Sequence, residues 1–89
     1  MNIKRVKVVK NSEVPSYWEK GIPARNSNGS FWTDGKRIYS YQLKIGERQG
    51  NTLIVYNYMA NGGGVFISTT TSKHVSYAKS VADKVVNPQ

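Results

Sequence analysis

The sequence predicts an α+β fold: a small antiparallel β-meander of about four to five strands packed against one C-terminal α-helix. Two patterns carry this expectation. Between residues 31 and 70, short runs of β-branched and aromatic residues alternate with polar ones, interrupted by Asp-Gly and Gly-rich reversals. After residue 70 the period changes, and apolar residues recur at three- and four-residue spacing. The 89 residues suffice for a single domain, 1–89, whose core is too small to carry much surplus stability.

Residues 1–10 contain Lys4, Arg5, Lys7 and Lys10 among β-branched residues, the composition of a basic edge strand. Residues 11–30 read as irregular. Ser12 can cap a short helical turn through Tyr17-Trp18-Glu19, but Pro15 and Gly21 bound it tightly. Trp18 and Tyr17 either clamp this segment onto the sheet or stand exposed for stacking on a base.

The β-meander occupies 31–70. Phe31-Trp32-Thr33, the Asp34-Gly35 turn and the run from Lys36 to Tyr41 read as a hairpin. Tyr39, Tyr41, Leu43 and Ile45 then fall on one face, the expected core face, with Ser40, Gln42 and Lys44 on the other. A turn over 46–51 leads to a strand over 52–58. Asn61-Gly62-Gly63-Gly64 reverses the chain, and Val65-Phe66-Ile67-Ser68-Thr69 returns. A helix over 72–86 follows, with Thr71 or Ser72 as N-cap and Val75, Ala78, Val81, Ala82 and Val85 as its apolar stripe.

Thirteen Lys and Arg against five Asp and Glu give a net charge of +8. On so small a body this produces a positive field that attracts nucleic acid, anionic nucleotides or an acidic protein face. There is no cysteine, so no disulfide supports the core, as suits a reducing compartment. One histidine and five carboxylates make a structural metal site unexpected. No signal-peptide core and no run of about 18 apolar residues is present, so a cytoplasmic protein without a membrane span is expected.

Two patches are candidates for contact with a ligand. The first is Thr70, Thr71, Ser72, Lys73 and His74 at the helix start, where unpaired amides, hydroxyls and positive charge could cradle a phosphate or carboxylate. Ordinary capping explains the same residues. The second is the hairpin with Trp32, Asp34, Lys36, Arg37 and Tyr39, in which cations beside aromatics suit an anionic planar ligand. Here burial against the helix is the favoured role of the tyrosine, the basic residues are the stronger candidates for contact, and Asp34 is more economically a turn residue. No catalytic residue is assigned. His74 is the single histidine, and Asp34 is its most attractive partner for a small hydrolase. No cofactor is expected.

The run from Phe31 through Thr33-Asp34-Gly35 and Tyr39-Ser40-Tyr41 to Ile45-Gly46, followed by Thr70-Thr71-Ser72-Lys73-His74, resembles small uncharacterised proteins of bacteriophages and other mobile elements. The resemblance covers roughly residues 26 to 85 and selects Thr33, Asp34, Tyr39, Ser40, Tyr41, Thr70, Thr71, Ser72 and His74. It implies a host-takeover or counter-defence role exercised by occupancy in the host cytoplasm.

The leading expectation is a non-enzymatic basic binding protein for nucleic acid or a nucleotide, of the host-defence-inhibitor type. The alternatives are an inhibitor resembling anti-CRISPR proteins that binds a host defence protein directly, and a small His/Asp hydrolase. An edge strand and a thin core also favour a homo-oligomer.

Overall fold

Pro15 and Gly21 do more than bound a turn. In the computed structural model, which describes residues 6–58 and 69–87, they bracket a helix, α1, over Val14–Lys20. Pro15 lies in the first turn, where its missing N–H has no partner to lose. Gly21 closes the other end at φ +78°, with its N–H donated to the Trp18 carbonyl and that of Ile22 to Tyr17. A helix this short does not persist alone. Burial of Val14, Pro15 and Trp18 stabilises it.

Among the described residues seven strands form one sheet whose spatial order follows the chain. They are β1 Lys7–Val8, β2 Ala24–Arg25, β3 Phe31–Thr33, β4 Arg37–Ser40, β5 Leu43–Gln49, β6 Thr52–Tyr56 and β7 Lys84–Val86. Neighbours from β2 to β6 are antiparallel, whereas β1 and β7, at the two edges, run parallel to β2 and β6. The second helix, α2, spans Thr69–Lys79.

Among the described residues the fold is therefore mixed, with parallel and antiparallel pairs and two α-helices. This overturns the expectation of a purely antiparallel meander closed by a single C-terminal helix. The Asn61–Gly64 reversal, residues 65–68 of the return strand expected over 65–69 and the first five residues of the basic strand lie outside the described residues, whereas Thr69 and Thr70, expected at the end of the meander, lie in α2.

The helix expected over 72–86 starts earlier and stops earlier. At its end, Ser80, Val81 and Ala82 donate to Tyr77, Ala78 and Lys79, the tighter i−3 pattern that finishes a helix. Asp83 then locks onto Leu53 twice, its N–H donated to the Leu53 carbonyl and its carboxylate accepting the Leu53 N–H. Beyond it, Lys84–Val86 pairs with β6. Long-range pairing of a β-branched segment has overridden a helical spacing that continued to Val85. That residue is 47% exposed rather than part of a stripe.

Both helices pack on one face of the sheet. The shared core contains Val14 and Trp18 of α1, Phe31, Ile38, Ile45, Leu53 and Val55 of the sheet, and Val75 and Ala78 of α2. Ile38 and Ser40 point into it, so Tyr39 points to the opposite face; the expected facing of this strand is one residue out of register. The cause is the turn after β4. Tyr41 adopts φ +55° and is 52% exposed, which separates β4 from β5 instead of letting one strand run through.

A bulge then resets the alternation. The pairing of β4 with β5 shifts between Ile38 and Tyr39, so Ile45 and Gly46 both turn inward while Lys44 and Glu47 both turn outward. Gly46 leaves room for α1: an added Cβ would lie 2.9 Å from Ile38 Cγ2 and 3.1 Å from the Trp18 ring.

Candidate functional site

The two halves of the sequence pattern meet inside the protein, between α2 and the sheet. Ser40 Oγ lies 2.7 Å from His74 Nδ1 and donates to Thr71 Oγ1 at 2.9 Å. The single Ser40 proton serves one neighbour at a time, so Ser40 must accept the proton of the other. His74 also stacks on Phe31, with ring centroids 4.4 Å apart and planes 4° from parallel. Ser40 is fully buried, His74 is 2% exposed and Thr71 is buried. These residues clasp α2 to β4.

This placement separates the expected helix-start patch. Because α2 begins at Thr69, Lys73 and His74 lie a turn inside the helix rather than at its cap. Thr70 and Lys73 are exposed and Ser72 is half-buried, while Thr71 and His74 point into the core. His74 and Asp34 do not pair. Asp34 accepts the N–H groups of Lys36 and Arg37, and its other oxygen stands 3.6 Å from the Arg37 guanidinium, so the carboxylate holds the turn. Thr33 does likewise, donating to the Arg37 carbonyl and accepting the Gly35 N–H.

Burial holds the His74 imidazole below its usual pKa range, favouring the neutral ring. In the unfolded chain the same ring takes a proton near pH 6.5. The unfolded state then binds more protons, so stability rises with pH across this window. Stability is expected to be full above about pH 6.5 and to fall on acidification toward the lower folded pKa. Glu47 enters separately. Hydrogen bonds from Lys44 and then Gln49 hold its carboxyl at about 2 against an ordinary 4.5, so its contribution is complete above 4.5 and declines from there to 2. Thermal midpoints between pH 7.5 and 5 isolate the histidine. His74→Gln should flatten the slope there, and an unchanged slope would assign it to another group.

The opposite face of the sheet, on which neither helix packs, carries the second candidate patch. Strand register aligns one row across it: Val8 with Arg25, Arg25 with Trp32, Trp32 with Tyr39, and Tyr39 with Lys44. Residues paired in this way point to the same side. Trp32 and Tyr39 stack with centroids 4.1 Å apart and planes 7° from parallel. The indole N–H donates to the Tyr41 carbonyl at 2.8 Å, which fixes the ring's orientation. Since the rings face each other across the strands, their outer faces look along the row toward Arg25 and Lys44. Among the described residues neither a further ring nor a cation lies over those outer faces.

Cations and carboxylates are interspersed on this side. Arg37, Glu47, Ile54 and Lys84 form a second row. The bulge brings Lys44 and Glu47 together at 2.6 Å, and Lys44 Nζ also stands 5.9 Å above the Tyr56 ring. The Glu47 hydrogen bond raises the Lys44 pKa, so the ammonium is retained. Arg25 commits one nitrogen to the Asn26 and Ser27 carbonyls, at 3.1 and 3.0 Å, and keeps other donors.

The two sequence-derived patches thus lie on opposite faces. Trp32, Arg37 and Tyr39 belong to the helix-free side, Thr71 and His74 to the core. Lys36 is exposed at the turn, with its carbonyl accepting the Trp18 indole N–H at 2.9 Å. Trp18 is fully buried, which excludes an exposed Tyr17–Trp18 stacking pair. Sequence reasoning missed Arg25 and Lys44, because their alignment with the aromatics depends on strand register. Ser40 was within the pattern, but its role needed the correct facing of β4.

Comparisons with protein-family models, with curated proteins and with solved structures find no match for this chain. Among the described residues no group of three or more His, Cys, Asp or Glu is placed to hold a metal ion. No helix there is long and apolar enough to cross a membrane.

Proposed function

We propose that this chain is a non-enzymatic binding protein for nucleic acid or an anionic nucleotide, and that it binds on the helix-free face of the sheet. The observation that carries the reading is the Arg25–Trp32–Tyr39–Lys44 row, a stacked aromatic pair flanked by two cations. Aromatic faces take bases, and the flanking cations take phosphates. The net charge of +8 draws an anionic ligand toward the surface. The Ser40–His74 contact does not favour a hydrolase, because both groups are buried and the imidazole has no carboxylate partner among the described residues.

Titration with oligonucleotides and nucleotides across a salt series tests this reading. Binding should weaken linearly in log–log form, with a slope near −0.7 per phosphate neutralised for a single strand and a shallower dependence for a mononucleotide. Absence of binding to all of them at low salt would overturn it.

A further inference from the structure

We infer that the occupant of this face is a single-stranded nucleic acid lying across the β-strands, perpendicular to them, rather than a free nucleotide or a duplex. The inference rests on the reading above and adds direction, length and strandedness.

Direction follows from the rings. A stacked pair whose planes stand across the strands turns its two outer faces along the Arg25-to-Lys44 row. One base can stack at each end, outside Trp32 and outside Tyr39. The indole is held by the Tyr41 carbonyl, so the platform is set before the ligand arrives. In a duplex both faces of a base are already occupied by its neighbours, so these rings could reach only a strand end or an unpaired segment.

Length follows from register. Arg25 and Lys44 lie three strand spacings apart, about 14 Å at about 4.8 Å per spacing. That distance covers about four nucleotides at the stacked rise of about 3.4 Å, and fewer when the bases are spread. The bridge from Lys44 to Glu47 leaves ammonium hydrogens for a phosphate, but it also places a carboxylate beside the path. Glu47 therefore weakens binding at this end.

The test uses the intact protein and follows Trp32 fluorescence, since Trp18 is sealed in the core. Thymidine monophosphate, the dinucleotide, longer oligothymidylates and a blunt duplex of equal length are compared in one buffer. Affinity should rise with length and level off at about four nucleotides, the span set by strand spacing. The duplex should bind more weakly than the single strand. Glu47→Gln should tighten the longer strands by a few-fold. Unchanged affinity in that variant would remove Lys44 from the path and overturn the crosswise geometry. Mononucleotide binding as tight as that of the longer strands, or a preference for duplex, would overturn the inference while leaving the binding face intact. Failure of every ligand to bind would overturn the reading of the face itself.

Discussion

Trp18→Ala is expected to remove most of the domain's stability and to bring its thermal midpoint far below that of the wild type. The side chain is fully buried, its ring lies over Gly46, and its N–H satisfies the Lys36 carbonyl. Its own carbonyl accepts the Arg48 guanidinium, which ties the end of α1 to β5. Large-to-small changes of a buried tryptophan cost about 3–5 kcal/mol, and here a carbonyl would also lose its partner. A domain of this size has only about 5–10 kcal/mol to lose. Thermal melts followed by circular dichroism provide the measurement. Trp18→Phe keeps most of the apolar volume and loses the hydrogen bond, so its midpoint should fall between those of the wild type and the alanine variant. An alanine variant that melts like the wild type would show that α1 does not support the core.

Trp32→Ala is expected to weaken oligonucleotide binding by roughly fivefold to a hundredfold, since stacking of one base on an aromatic side chain is worth about 1–3 kcal/mol. Trp32 is half-buried on the sheet surface, so the same change should lower the thermal midpoint much less than truncation of Trp18. Anisotropy of a labelled strand gives the affinity without relying on the lost tryptophan. Two charge variants control for the general positive field. Arg25→Gln and Lys73→Gln each remove one charge, but Arg25 is in the binding row and Lys73 is on α2, the helix packed against the other face. The first should weaken binding more than the second. Equal losses would mean that the field alone binds the ligand, and an unaltered Trp32→Ala affinity would place the ligand elsewhere.

The residues differ in how far the sequence alone revealed their roles. Asp34-Gly35 announces its turn because the aspartate and the glycine each suit a tight reversal, and the structure uses both. Ala78 and Val75 announce a helix face and form one. Tyr39 and Ser40 mislead, because alternation shows that one face is buried without saying which. The choice fell to the turn at Tyr41 and the bulge at Ile45–Gly46. His74 was visible as the single histidine, but its stack on Phe31 and its bond to Ser40 join residues more than thirty positions apart.

Local chemistry in the chain determined that there is a strongly basic domain without cysteine, that Asp34-Gly35 makes a turn, and that a helix carrying Val75 and Ala78 lies in the C-terminal part. Tertiary structure alone decided which side of each strand faces the helices, that residues 84–86 leave a helical spacing to pair with β6, and that the aromatic pair lies between two cations. Those outcomes depend on strand register and on contacts distant in sequence. A one-residue slip exchanges the two faces of a strand, and nothing in short-range spacing reports it.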